Sequence, residues 1–261
     1  MREVPAELIS DFQSLTDVEW RRRHEAEFGL FVAEGGKVIK RALELGYRPR
    51  AILTQQKWLD EFAGIADLPL HVLSEADISH IAGYHVHRGA LASFERPRPR
   101  SLSELVGRGR VLLVEAVVDH ENIGAIFRNA AGLGGEAIIL TEGCADPLYR
   151  RSLKVSMGSA LALPFATCAD SGRALAELRA AGHTLAALTP GGAISLGDWS
   201  SPTPRLTLMF GAEGNGLRQE TIEAADVRLA IPMRLGTDSL NVATSAAIAL
   251  WQLRGSGIVP D

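Results

Sequence analysis

Five apolar runs in the second half of the chain, at 111–118, 137–140, 184–188, 206–210 and 227–231, most constrain what it can fold into. Each is rich in Val, Leu, Ile or Ala and close to continuous, without the alternation of a strand that faces water on one side. Helical patterns near 123–133, 171–181 and 239–253 separate several of them. A strand buried on both faces needs apolar side chains on both, so this succession predicts an α/β fold with a parallel sheet covered on either side. Ligands of such sheets bind in loops at the carboxyl ends of the strands. The search for chemistry therefore begins in those loops.

A break precedes the runs. Pro97 and Pro99 alternate with Arg96, Arg98 and Arg100, and Gly107 and Gly109 follow. Prolines block helix and inner strand alike, and glycines loosen what comes after, so 96–110 reads as a linker. Before it, short strands at 31–35, 51–54, 70–73 and 90–94 alternate with helices, one at 37–45 ending at Gly46 and another capped by Ser74. The expected organisation is a small α/β domain over 1–95, the linker at 96–110 and a larger α/β domain over 111–261.

Net charge is −4, which argues against a protein that coats nucleic acid without specificity. Residues 1–110 carry 16 Lys and Arg against 16 Asp and Glu, so the deficit lies in the rest of the chain. Arginines cluster in the neutral part at Arg21, Arg22 and Arg23, at Arg48 and Arg50, and in the linker; these either contact phosphates or sit solvated on helix faces. Cys144 and Cys168 have no metal-ligand spacing around them, so neither a disulfide framework nor a zinc site is expected. No apolar run approaches the ~18 residues of a membrane span, and the first residues lack the apolar core of a signal peptide. A cytoplasmic protein without a membrane partner is the expectation.

Three loops stand out. After the run at 111–118 come Asp119, Asn122, Gly124 and Arg128, with Asn122 placed to cap the following helix and Arg128 nearly two turns in. After 206–210 come Gly211, Glu213, Gly214, Gly216 and Leu217, where three glycines in six residues let backbone approach a ligand closely. After 227–231 come Pro232, Met233, Ser239, Leu240 and Asn241, with Ser239 or Asn241 available to cap the last helix. Taken singly, each is also compatible with an ordinary cap or turn. Gly132, Gly134 and Gly135 spell part of a dinucleotide fingerprint but lie between helix and strand, the wrong order for that mechanism. His85 and His87 have metal-like spacing without a third ligand nearby.

In this order and these contexts, the loops resemble the motifs of the SpoU (TrmH-like) branch of the SPOUT RNA methyltransferases. The likeness spans roughly 110–254: Asn122, Gly124, Arg128 and Ala130 for the first motif, Gly211, Glu213, Gly214, Gly216 and Leu217 for the second, Ile231-Pro232-Met233 with Ser239-Leu240-Asn241-Val242 for the third. Residues 18–95, chiefly 28–36 and 89–94, resemble the RNA substrate-binding domain common in the family, of ribosomal L30e-like fold. The chain departs from the family pattern at 84–92 and at Lys154-Val155-Ser156-Met157-Gly158, where the family often has an arginine first.

The resemblance implies S-adenosylmethionine as cofactor, a trefoil knot in the parallel-sheet domain, a homodimer, and structured RNA (rRNA or tRNA) as substrate. It implies catalytic roles for Arg128, Asn122, Glu213, Ser239 and Asn241, and cofactor contacts at Thr189, Gly211, Gly214, Ile231, Met233 and Leu240. The acceptor it implies is a ribose 2′-hydroxyl. Carbon methylation of a base usually uses a nucleophilic cysteine, and neither Cys144 nor Cys168 lies in a motif loop. Two other readings stay open: an inactive RNA-binding or ribosome-assembly factor of the same fold, which a cofactor-binding assay separates, and methylation of a base, which nucleoside analysis separates.

Overall fold

The proline-rich break falls where two compact units meet in sequence: residues through Arg98, with Leu148–Leu161, form one, and Pro99–Pro147 with Ala162 onward form the other. The structure, a computed structural model, describes residues 4–63, 69–86 and 89–253. His87, named above, lies outside the described residues, as does part of the 84–92 segment.

In the first unit, α1 (Ala6–Ile9) and α2 (Val18–Glu27) precede β1 (Leu30–Glu34), α3 (Gly36–Glu44), β2 (Pro49–Thr54), β3 (Leu70–Val72), α4 (Glu75–Ala82) and β4 (Ala90–Glu95). The sheet order is β1-β4-β2-β3, with β4 antiparallel to both neighbours and β2 parallel to β3. Leu30, Val32, Leu53 and Leu91 bury one face against Phe12 and Ile78. Caps set the helix starts: the Asp17 side chain accepts from Trp20 N, and Ser74 accepts from Asp77 N.

The arginine clusters divide on burial. Arg21 is fully buried, donating to Glu25 and to the Asp11 carbonyl, and Arg50 pairs with the Asp11 carboxylate at 2.9 Å. Both are structural, whereas Arg22, Arg23 and Arg48, and Arg98 and Arg100 of the linker, stand exposed. A buried guanidinium needs its charge and donors answered inside the fold, and Asp11 and Glu25 do this.

The second unit holds β5 (Arg110–Glu115), α5 (His120–Gly132) and β6 (Ala137–Thr141). The chain then makes α6 (Arg150–Val155), which packs in the first unit, and α7 (Ser159–Ala162). It continues with β7 (Phe165–Cys168), α8 (Ser171–Ala180), β8 (Thr184–Leu188), β9 (Ile194–Ser195), β10 (Leu206–Gly211), α9 (Gln219–Glu223), β11 (Val227–Ala230) and α10 (Val242–Gln252). Seven strands in the order β7-β6-β5-β10-β8-β11-β9 form a sheet in which every registered pair is parallel. Strands β5, β6, β8, β10 and β11 are the five apolar runs; β7 and β9 carry no such signal.

Segment 148–161 is not described by a single boundary at 96–110. It belongs to the first unit, where Glu34, at the end of β1, meets it. That carboxylate is buried, accepts from Lys154 Nζ at 2.6 Å and from Tyr84 Oη at 2.9 Å, and pairs with Arg150. The Arg150 guanidinium also lies 4.7 Å over the Tyr84 ring. Burial opposes the Glu34 charge, but the bonds and charges of Lys154 and Arg150, with the Tyr84 hydroxyl, outweigh it and hold its pKa below the usual value.

Candidate active site at the carboxyl ends of the central strands

Strand order reverses in sense where β10 lies beside β5, and the loops after β8, β10 and β11 open on one side of that point. They enclose a cavity of about 390 Å³. Its walls come from Thr189 and Pro190 after β8, from Gly211 to Leu217 after β10, and from Ile231, Met233 and 238–242 after β11. All six expected cofactor contacts, Thr189, Gly211, Gly214, Ile231, Met233 and Leu240, line it, as do Glu213, Ser239 and Asn241. Asn122 and Arg128 do not.

The glycines act through space and dihedral angle. A side chain at Gly211 would overlap the backbone of Gly216 and Leu217, because the loop folds back over the strand end it has just left. Gly216 N donates to Ala212 O at 3.0 Å to close that turn, and Gly214 and Gly216 adopt φ of 92° and 69°.

A chain of side-chain hydrogen bonds joins the three motif loops. Asn241 caps α10, its Oδ1 accepting from Ala243 N at 2.9 Å and Thr244 N at 3.2 Å. Its Nδ2 donates to Asn122 Oδ1 at 2.8 Å, and Asn122 Nδ2 donates to the Glu213 carboxylate. Asn122 is not the cap of α5, contrary to the sequence expectation. Asp119 takes that role by accepting from Glu121 N at 2.9 Å and Asn122 N at 2.8 Å. An aspartate three residues upstream starts the helix one turn earlier and captures its first amides, which leaves the Asn122 side chain free to bridge. Of the two candidates for capping the last helix, Asn241 serves and Ser239 does not.

Arg128 stands apart. It lies six residues beyond Asn122, about 9 Å along the helix axis, exposed and without a side-chain partner among the described residues. Its neighbour Asn129 instead ties α5 to α10 by donating to Ala243 O at 2.9 Å.

Sequence reasoning missed Leu188, Pro190, Phe210, Asp238 and Ser245 as cavity residues. Leu188 and Phe210 were legible in principle, since each ends an apolar run. Asp238, beside Ser239, and Ser245, inside α10, carry no signal of their own.

The donor set suits S-adenosylmethionine. Among the described residues no Lys, Arg or His lines the cavity, so the carboxylates of Glu213 and Asp238 are the formal charges they bring to it, which favours a ligand bearing a sulfonium and an ammonium. The loop over 232–240 makes one internal backbone hydrogen bond, Thr237 N to Arg234 O, among the described residues. Its other amides and carbonyls remain available to a ring edge or a polar tail. A volume of about 390 Å³ falls in the ordinary range for sites that take a cofactor of this size.

Comparison with known proteins agrees. Residues 109–251 match the family model described as the SpoU rRNA Methylase family. An uncharacterized tRNA/rRNA methyltransferase of Mycobacterium tuberculosis is 40% identical over 257 residues, covering 95% of this chain and 89% of the relative. A 23S rRNA (guanosine-2′-O-)-methyltransferase of a Burkholderia species is 30% identical, covering 80% of this chain and 86% of its own. Among solved structures, an rRNA methyltransferase from Sinorhizobium meliloti with S-adenosylmethionine bound superposes with a TM-score of 0.81 at 26% identity, covering 97% of this chain and 95% of that one.

Proposed function

The chain belongs to the SpoU rRNA Methylase family, and from that premise we propose that it is an S-adenosylmethionine-dependent methyltransferase acting on a ribose 2′-hydroxyl in structured rRNA or tRNA. The observation that carries the reading is the Glu213–Asn122–Asn241 bridge at the rim of a cavity with no basic lining among the described residues. It gathers all three motif loops where cofactor and RNA have to meet.

The cofactor supplies an electrophilic methyl on a sulfonium. When bound, it would give that methyl to the ribose oxygen and leave as the neutral thioether, while the hydroxyl gives up its proton. The protein's part is to hold the hydroxyl in line and to stabilise the alkoxide as it develops. Thr189, Gly211, Gly214, Ile231, Met233 and Leu240 hold the cofactor, largely by backbone. Asn122 and Asn241 orient the RNA, Ser239 contacts it, and Glu213 fixes the loop.

Arg128 clamps the phosphate beside the target ribose and stabilises the negative charge. A guanidinium stays protonated with a pKa above about 12, so it does not serve as the base. The proton goes to water or to that phosphate.

A homodimer and a trefoil knot belong to the same proposal. Ile248 and Trp251 leave 36% and 56% of their surface exposed on α10, apolar area suited to a second copy. A cytoplasmic location follows from an rRNA or tRNA substrate, and no described helix is long and apolar enough to cross a membrane.

The test is incubation with methyl-labelled S-adenosylmethionine and unmodified rRNA and tRNA, followed by digestion to nucleosides. Label in a 2′-O-methyl nucleoside, lost in Arg128→Ala while cofactor affinity stays nearly unchanged, is the expected outcome. Label in a base overturns the acceptor. Failure to bind the cofactor turns the reading toward an RNA-binding factor.

A further inference from the structure

Below the cavity, at the last residue of β5, sits a carboxylate that the proposed chemistry does not use. Glu115 is 1% exposed and pairs directly with Gly211 in the parallel ladder between β5 and β10. Gly211 is where the glycine-rich loop leaves the sheet. After folding back over Gly211, the loop buries Leu217 and reaches Arg218, where the Glu115 side chain meets it again.

The Glu115 carboxylate accepts from the Arg218 backbone N–H at 3.2 Å, from Arg218 Nε, and from Thr221 Oγ1 at 3.3 Å. The other arm of the guanidinium, Nη2, donates to Ser171 Oγ at 2.6 Å. One buried side chain thus stands beside the start of the loop and grips its end. Charge-assisted bonds to a buried acceptor are the strong kind, and the arginine fork fixes direction as well as distance.

We infer that Glu115 is a positioning residue: with Arg218 it clamps the base of loop 211–218 and so sets the backbone geometry with which that loop holds the cofactor. The clamp touches neither cofactor nor RNA. It acts through Gly211, Gly214 and Gly216, whose positive φ values or close backbone approach leave Leu217 as the one core-packed side chain of the loop among the described residues. A loop built that way depends on anchors at its ends. Asn122 and Glu213 hold it from above; Glu115 and Arg218 hold it from below.

This inference rests on the cavity being a cofactor site, and its test separates the two. S-adenosylmethionine binding by calorimetry, thermal unfolding, and steady-state kinetics in cofactor and RNA are measured for the wild-type protein, Glu115→Gln, Arg218→Ala and Arg218→Lys. Because Glu115 is buried, its replacement also threatens folding. Arg218 has 53% of its side chain exposed, so its variants keep the test meaningful if Glu115→Gln does not fold.

Expected is a loss of about tenfold in cofactor affinity for Arg218→Ala and more for Glu115→Gln, seen as a raised KM for cofactor with kcat and RNA affinity nearly unchanged. Arg218→Lys recovers part of the loss by restoring the charge without the fork. Wild-type binding with unchanged cofactor affinity in both Arg218 variants overturns the clamp and leaves the site intact. A uniform loss of kcat with unchanged KM overturns it as well. Absence of wild-type binding overturns the cofactor reading itself, and the clamp with it.

Discussion

Asn122 illustrates how one side chain changes meaning between sequence and structure. As the first polar residue before an apolar helical pattern it reads as a cap, yet Asp119 holds the amides of Glu121 and Asn122, and the Asn122 amide spans from Asn241 to Glu213. Asn122→Ala removes both bonds while leaving the cap and helix in place. Removing one preorganised donor aimed at developing charge commonly costs about 10²-fold in rate, and on the proposed reading the bridge holds such donors in place. The variant should therefore fall by that order in kcat, with a thermal midpoint within a few degrees of wild type. A rate within about threefold of wild type would show the bridge to be ornamental. The three loops were legible because each follows an apolar run at a strand end, and their residues were named through the resemblance to the family motifs. That Asp119 competes for the cap, or that Arg21 is buried against Glu25, was not, since either outcome satisfies the same local pattern.

Element by element, legibility followed length and continuity. Strands β5, β8 and β10, five or six residues each, carried their own signal in apolar composition. Strand β7 has four residues with an interrupted burial pattern, and β9 has two, so both exist only because a neighbouring strand offers hydrogen bonds. The placement of α6 was illegible for a different reason: it depends on Arg150 and Lys154 meeting Glu34, a partner more than a hundred residues away. Turn β10-to-loop supplies a prediction at this scale. Gly211→Ala places a methyl against the backbone of Gly216 and Leu217, which has no flexible side chain to give way. Overpacking of this kind costs about 1–3 kcal/mol, and here the strain falls on the loop itself. The variant should lose measurable S-adenosylmethionine binding while the sheet stays folded by circular dichroism. Retained affinity would mean that the loop is softer than its glycines imply.

Across the whole molecule, buried titratable groups set how the protein meets acid, and the two units answer with different residues. In the second unit His183 is buried, with Nε2 facing Val106 O at 3.0 Å and Nδ1 facing Thr207 Oγ1 at 3.0 Å. A carbonyl accepts only, so Nε2 carries the proton and the neutral ring fits. Burial first, and Arg205 nearby, hold its pKa below the usual 6.5. In the first unit His24 is lowered in the same direction by burial and by Arg21. A histidine depressed in the fold takes up its proton more readily once unfolded, so stability is full above pH 6.5 and is lost as pH falls through the folded pKa. Glu34 acts in a lower window. Its folded pKa lies below the ordinary 4.5, so its contribution is present above that pH and is lost as pH falls further. Thermal unfolding followed from pH 7.5 to 3.5 should therefore show two declines. His183→Gln shrinks the first, leaving the part due to His24, and Glu34→Gln flattens the second while lowering the midpoint at neutral pH, because Arg150 and Lys154 lose their shared negative charge. A Glu34→Gln curve parallel to wild type below pH 4.5 would show that the carboxylate is not what ties segment 148–161 down, and that apolar packing around α6 holds it instead.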